Sequence, residues 1–177
     1  MLSYPDTTKS TKDIFSDVGV SRPSWSPDGT QIAFIHYNTN SIYFVTIINA
    51  DGTPIGLSDG RKVPFVNLNF AGTELDGAQF NGGLSWSKSN MLVVSANVGG
   101  VANIFTFFPD LEKTPTVKNL TNNPSENTTP VWNPAGTLIA FTSTRDGRPQ
   151  IYLMNANGSG LRYSITEPQC TETYWRS

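Results

Sequence analysis

The chain has one cysteine and one histidine in 177 residues. Cys170 therefore has no partner for an internal disulfide, and a Cys-x-x-Cys zinc or redox motif is absent. A zinc site with several imidazole ligands is excluded within one chain. Any Ser-His-Asp arrangement would have to use His36, beside the apolar run Ile32-Ala33-Phe34-Ile35, where a lone histidine reads as a hydrogen-bonded residue at a strand end. The sequence thus assigns no metal, no cofactor and no catalytic residue. Charge is also scarce, at 15% of residues, with 12 Lys and Arg against 14 Asp and Glu. A net charge of −2 provides no basic face, which argues against nucleic acid as a partner. Arg61-Lys62 is the sole adjacent basic pair. Long apolar runs are missing too. The stretch Ile42–Ile48 is broken by Thr46 and falls far short of the roughly 20 residues of a spanning helix, so membrane insertion is not expected. Met1-Leu2-Ser3-Tyr4-Pro5-Asp6 has neither the basic nor the apolar region of a signal peptide, which fits a cytoplasmic chain or an exported one already processed.

Turn-formers are plentiful, with 15 Gly and 12 Pro, and favour many short strands over long helices. An internal repeat orders them. Pro23-Ser24-Trp25-Ser26-Pro27-Asp28-Gly29-Thr30-Gln31-Ile32-Ala33-Phe34 recurs as Pro130-Val131-Trp132-Asn133-Pro134-Ala135-Gly136-Thr137-Leu138-Ile139-Ala140-Phe141, with eight of twelve positions identical. The register holds downstream, where Ile42-Tyr43 matches Ile151-Tyr152 and Asn49-Ala50-Asp51-Gly52 matches Asn155-Ala156-Asn157-Gly158. A weaker copy begins at Leu84-Ser85-Trp86-Ser87, and a fourth start, Thr173-Tyr174-Trp175-Arg176, stands where the chain stops. Trp25, Trp86, Trp132 and Trp175 share one repeat position, at spacings of 61, 46 and 43 residues.

Each copy reads as a four-stranded meander. Pro-Ser-Trp-Ser is a short strand. Ser26-Pro27-Asp28-Gly29 is a tight turn, in which Pro presets φ, Asp bonds back to the backbone and Gly accepts positive φ. Ile32–Ile35 is a second strand, buried on both faces, and Ile42–Ile48 is a third, β-branched and aromatic. The Asp-Gly turn at Ala50–Thr53 leads to a fourth strand expected near Ile55–Leu57. In the weaker copy the turn Ser87-Lys88-Ser89-Asn90 has lost Pro, Asp and Gly, but Asn90 is the next-best residue for a left-handed position.

Four-stranded sheets repeating at this interval are the mark of β-propeller blades, with each tryptophan wedged between neighbours. The expected fold is all-β, a propeller of four-stranded antiparallel blades. Blade-like repeats are expected at 23–58, 84–121 and 130–166, an outer strand near 11–16, and an inner-strand stub at 173–177. Pro-x-Trp-Ser-Pro-Asp-Gly-x-x-Ile-Ala-Phe, then Ile-Tyr, then Asn-Ala-Asp-Gly, resembles the repeat of the TolB-type propellers, as does Thr142–Tyr152 with its Arg145-Asp146-Gly147. The resemblance implies a six-bladed ring, a periplasmic or extracellular location and a role in protein contacts. Similar blades form the lids of prolyl oligopeptidase-like enzymes, but the Gly-x-Ser-x-Gly elbow of their hydrolase domain is absent here.

The uniform turns occupy one end of such a sheet stack, and the variable loops occupy the other. The Trp25–Trp86 spacing is the longest, and Asp59–Gly77 can absorb its excess, either as an extended outer strand with a neutral loop or as a binding loop on the variable face. Its candidate binding residues are Arg61, Lys62, Phe65, Phe70, Glu74 and Asp76; Arg145-Asp146-Gly147-Arg148 reads as a hairpin turn with solvated charges or, alternatively, as Arg145 and Arg148 gripping a carboxylate. The expected function is a non-catalytic scaffold for a protein partner. A propeller portion of an enzyme and a structural subunit that assembles through its blades are the alternatives. Three blades do not close a ring, so a longer propeller or a homodimer completing the ring is expected.

Overall fold

The computed structural model describes residues 19–163. The strand expected near 11–16, the stub 173–177 with Trp175, Cys170 and the end of the third repeat lie outside the described residues.

Three antiparallel four-stranded sheets follow one another along the chain. β1 (Gly19–Trp25), β2 (Gln31–Tyr37) and β3 (Tyr43–Asn49) form a meander. A small hairpin of β4 (Ile55–Gly56) and β5 (Lys62–Val63) intervenes before β6 (Val66–Asn67), which completes the order β1-β2-β3-β6. The second sheet is β7 (Gln79–Trp86), β8 (Leu92–Val98), β9 (Val101–Phe107) and β10 (Lys118–Asn119). The third is β11 (Asn127–Trp132), β12 (Leu138–Ser143), β13 (Gln150–Asn155) and β14 (Arg162–Tyr163). The architecture is the all-β propeller expected, with one correction. The fourth strand of the first sheet is Val66–Asn67, not the segment near Ile55–Leu57. Asp59-Gly60 closes a turn of its own, in which Gly60 N–H donates to the Leu57 carbonyl (3.0 Å) and Leu57 N–H to that of Arg61 (2.9 Å). Ile55 therefore pairs with Val63 instead of with β3.

The pleat sends alternate residues to the two faces of each sheet. Ala33, Ile35, Val45 and Ile47 of the first sheet join Leu84, Trp86, Leu92, Val94, Phe105 and Phe107 of the second in one buried cluster. From the opposite face of the second sheet, Val93 and Ile104 join Trp132, Ile139, Phe141, Tyr152 and Met154 of the third. Trp86 and Trp132 are thus the expected inter-blade wedges, at 9% and 7% exposure. Trp25 is not; it is 60% exposed, because no preceding blade stands against it among the described residues. A hydroxyl fastens each seam. Ser24 Oγ accepts the Trp86 backbone N–H (3.0 Å), and Ser85 Oγ accepts that of Trp132 (3.2 Å). The equivalent position in the third sheet is Val131, which has no hydroxyl.

Each of the three described inner strands carries an irregularity three residues before its tryptophan, where Arg22 (φ 61°), Gly83 (φ 56°) and Thr129 (φ 50°) are left-handed. At Gly83 a Cβ would come within 2.7 Å of Thr129 Cα, so only glycine lets β7 pass β11 this closely. The first-to-second turns lie beside the third-to-fourth ones, since Ala50 N–H donates to the Thr30 carbonyl (2.8 Å) and Ala156 N–H to that of Thr137 (3.0 Å). In the first turn, the Ser26 hydroxyl (2.6 Å) and the Thr30 N–H (3.0 Å) both donate to Asp28 Oδ1, lowering its pKa to about 2.

Candidate functional site

The opposite end of the sheets carries the loop β2–β3 and the blade-to-blade connection 68–78. The loop is tight. Asn38 N–H donates to the Ile42 carbonyl (3.0 Å), and Asn38 Oδ1 accepts the N–H groups of Asn40 and Ile42 (both 3.0 Å). This asparagine-centred turn holds Ser41 at φ 58° and leaves Ile42 51% exposed. Tyr37 and Tyr43 flank the loop, with ring centroids 5.4 Å apart.

The connection 68–78 is equally well built. Thr73, Asp76 and Ala78 close successive turns onto the carbonyls of Phe70, Thr73 and Leu75 (3.0–3.2 Å). Asn69 Oδ1 accepts the Ala71 N–H, and Asp76 Oδ2 accepts the Gly72 N–H, each at 3.0 Å. Phe70, Leu75 and Ala78 anchor it in the first core cluster, where Phe70 meets Phe107 edge-on at 5.0 Å. Between this connection and the loop lies a groove of about 270 Å³, walled by Ile42, Tyr43, Phe44, Phe70, Leu75 and Asp76. Its backbone is pre-ordered and its surface mixed, with apolar flanks and one carboxylate at the rim.

His36 supports the groove from beneath. It is buried, its ring stacks on Phe44 at 4.9 Å, and its Nε2 hydrogen-bonds to Asn67 Oδ1 (3.3 Å). Thr46 Oγ1 donates to the same oxygen (2.5 Å). Burial lowers the His36 pKa below the ordinary 6.5, and the Asn67 bond offsets part of this. The imidazole is therefore a neutral, hydrogen-bonded strand-end residue.

The structure divides the sequence-derived candidates between two ends. Phe70 and Asp76 line the groove, and Glu74 is exposed on the same connection. Arg61 and Lys62 are elsewhere. They belong to the hairpin β4–β5 within the third-to-fourth connection, at the end of the uniform turns, and Phe65 is half-buried just after it. Arg61 is engaged locally, with Nε 2.5 Å from Asp59 Oδ2. Arg145 turns into its own sheet. Nε donates to Ser143 Oγ and Nη2 to Asn127 Oδ1 (both 3.0 Å), and the guanidinium lies 4.6 Å from the Tyr152 ring centroid. Asp146 accepts the Tyr152 hydroxyl, and Gly147 N–H closes the turn onto the Thr144 carbonyl (2.8 Å), leaving Arg148 exposed on the hairpin. Sequence reasoning places Ile42 in the third strand and so misses it as a surface residue, whereas it is 51% exposed. The signal was present in the turn-forming Asn38–Ser41 between two tyrosines.

Comparison with known proteins agrees with this geometry. The family model described as the TolB beta propeller domain matches residues 73–175. The Tol-Pal system protein TolB of Bordetella pertussis is 27% identical over 138 residues, which cover 77% of this chain and 27% of that relative. This chain therefore spans about a quarter of that relative's length. Among solved structures, TolB from Acinetobacter baumannii superposes with a TM-score of 0.58 at 24% identity, over 82% of this chain and 32% of that one. A puromycin hydrolase gives 0.59 at 18% identity, over 83% and 22%. At these identities both structures share the fold alone. With a blade repeat matched by the family model over more than half its length, and three stacked four-stranded sheets to embody it, the chain belongs to the TolB β-propeller domain family.

Proposed function

We propose that the chain is the binding portion of a non-catalytic propeller scaffold, working in the cell envelope and holding a protein partner at its loop-bearing end. The observation that carries this reading is the groove between loop β2–β3 and the connection 68–78, where two hydrogen-bonded loops present Ile42 beside the half-buried Tyr43. Loops ordered before binding lose little entropy on binding, and an apolar residue exposed beside an aromatic ring is a natural anchor for a peptide. His36 is held by Asn67 and Phe44, and Arg145 by its own sheet, so both serve the framework. A periplasmic location follows from the same family reading. So does completion of the ring by further blades, from a longer chain or a second copy.

The test is capture from a bacterial envelope extract on the immobilised chain, run beside Ile42→Glu. Ile42 is 51% exposed, so the variant is expected to fold. A specific partner retained by the wild type and reduced about tenfold on the variant supports the reading. No retained partner, or equal retention on both, overturns it.

A further inference from the structure

Among the described residues, the outer rim of the second blade seam is open where that of the first is closed. At the first seam the hairpin β4–β5 covers the gap. Ile55 is buried there, and Leu57 and Val63 pack on the core beside Leu111 and Val117 of the second sheet's last connection. The hairpin tip is fastened across the seam, with Ser58 N–H donating to Glu112 Oε1 (2.6 Å) and the Ser58 hydroxyl to the same carboxylate.

The registers Ile32↔Ile48, Leu92↔Phe107 and Ile139↔Met154 place Asn49, Phe108 and Asn155 at one repeat position. The three last connections are therefore directly comparable. The one after Asn49 builds the covering hairpin. The one after Phe108 builds no second hairpin, and an apolar cleft of about 490 Å³ stands at the second seam. Met91, Thr106, Phe108, Thr116, Lys118 and Ala156 line it. Phe108 is 55% exposed, and Met91 and Ala156 pack onto the buried cluster of the seam, so the cleft continues an interface already formed. The wall charge is opposite to that of the first seam. There the wall offers the Glu112 carboxylate to donors on the hairpin. Here it offers the Lys118 ammonium, which donates one bond to the Asn157 carbonyl (2.9 Å) and has two further hydrogens.

We propose that this cleft receives an extended segment of a partner protein carrying two aliphatic side chains two residues apart and a carboxylate shortly after them. The chain's own Ile55-Gly56-Leu57-Ser58-Asp59 has that pattern. The aliphatic pair enters the cleft as Ile55 and Leu57 enter the first seam, and the carboxylate meets Lys118. The site lies at the end of the uniform turns, away from the loop-face groove, and stands or falls independently of it.

The probe is a fluorescein-labelled peptide with the sequence Thr53–Lys62, titrated with the full chain and followed by anisotropy. Saturable binding is expected. It should weaken about tenfold with Phe108→Glu, fall severalfold with Lys118→Glu, and vanish when serine replaces both aliphatic residues of the peptide. An unchanged urea midpoint shows that the variants fold. No binding up to about 1 mM, the range of weak encounters, overturns the proposal. So does binding unchanged by Phe108→Glu, which would place the peptide at the first seam in exchange with the hairpin. Self-association of the chain that Phe108→Glu abolishes also overturns it, because a second copy would then be the occupant.

Discussion

Among the described residues, seventeen buried apolar residues form one cluster between the first and second sheets, whereas seven do between the second and third. Much of the difference comes from the long connection, which contributes Ile55, Leu68, Phe70, Leu75 and Ala78 to the first seam. The second seam replaces that bulk with polar groups. Asn127 is fully buried there; its amide donates across the seam to the Ala102 carbonyl (3.4 Å), the Ala102 N–H donates back to Glu126 Oε2 (3.2 Å), and Asn127 Oδ1 is fixed from its own sheet by Ser143 Oγ (2.9 Å) and Arg145 Nη2 (3.0 Å). Apolar area stabilises without direction, at roughly 25 cal/mol per Å² buried. A buried polar network adds less net stability but fixes orientation, and it is costly when broken. One repeat has thus produced a seam that resists separation and a seam that sets geometry.

Removing the wedges should expose this difference most strongly. Trp86→Ala and Trp132→Ala should each cost about 3–5 kcal/mol, the usual penalty for emptying a large aromatic site in a core. Their reach should differ. With Trp132→Ala, loss of amide protection in native-state hydrogen exchange should be confined to residues 127–163, because the second seam has few other apolar contacts. With Trp86→Ala it should spread through both flanking sheets. A cost under about 1 kcal/mol for Trp132→Ala would contradict the wedge model. Identical exchange patterns would erase the contrast between the seams.

The two tryptophans also differ at the indole nitrogen. Trp86 Nε1 donates to Asn90 Oδ1 (2.9 Å), whereas Trp132 Nε1 is buried without a hydrogen-bond partner among the described residues. The cause is the residue four positions on, at the left-handed corner of the turn. It is Asn90 in the second sheet (φ 63°) and Gly136 in the third (φ 69°). Asparagine tolerates that conformation, and a Cβ on Gly136 would lie no closer than 3.5 Å to Lys88 N. Gly136→Asn should therefore give Trp132 its acceptor and raise stability by about 1 kcal/mol, and Asn90→Gly should lower it by a similar amount. Denaturant midpoints at constant m-value would check both. A destabilised Gly136→Asn would show that the two turns are not interchangeable.

The repeat made most of the fold legible. Twin copies with matched turns mark three strands of the first and third sheets, and asparagine at position 90 marks a left-handed corner by its residue type alone. The fourth strand of the first sheet was not legible, because Ile55–Leu57 and Val66–Asn67 are both short apolar-containing segments. Only the pairing across Asp59-Gly60 decides between them. That turn also separates Arg61 and Lys62 from Phe70 and Asp76, although all four fall within one insertion of the repeat. Phe70 illustrates a further limit. An aromatic residue in a long loop reads as a binding residue or as a core anchor, and only its 8% exposure shows that it is mainly an anchor. The polar seam was illegible for a related reason. Asn127 looks like a loop asparagine until β11 and β12 bury it.

The smallest expected effect concerns the first sheet, and its reading is clean because His36 is the sole histidine. Burial lowers its folded pKa below the ordinary 6.5, so the unfolded chain binds the proton more readily. By linkage, stability rises with pH wherever the unfolded state holds more protons. Stability should therefore be fully present above pH 6.5, decline as pH falls below it, and level off under the lowered folded pKa. In His36→Gln that slope should disappear, since glutamine keeps a donor toward Asn67 Oδ1 without a titrating group. Urea midpoints of both proteins from neutral pH downward would measure it. An equal slope in the variant would assign the titration to the carboxylates, and the buried imidazole under the loop-face groove would then contribute shape alone.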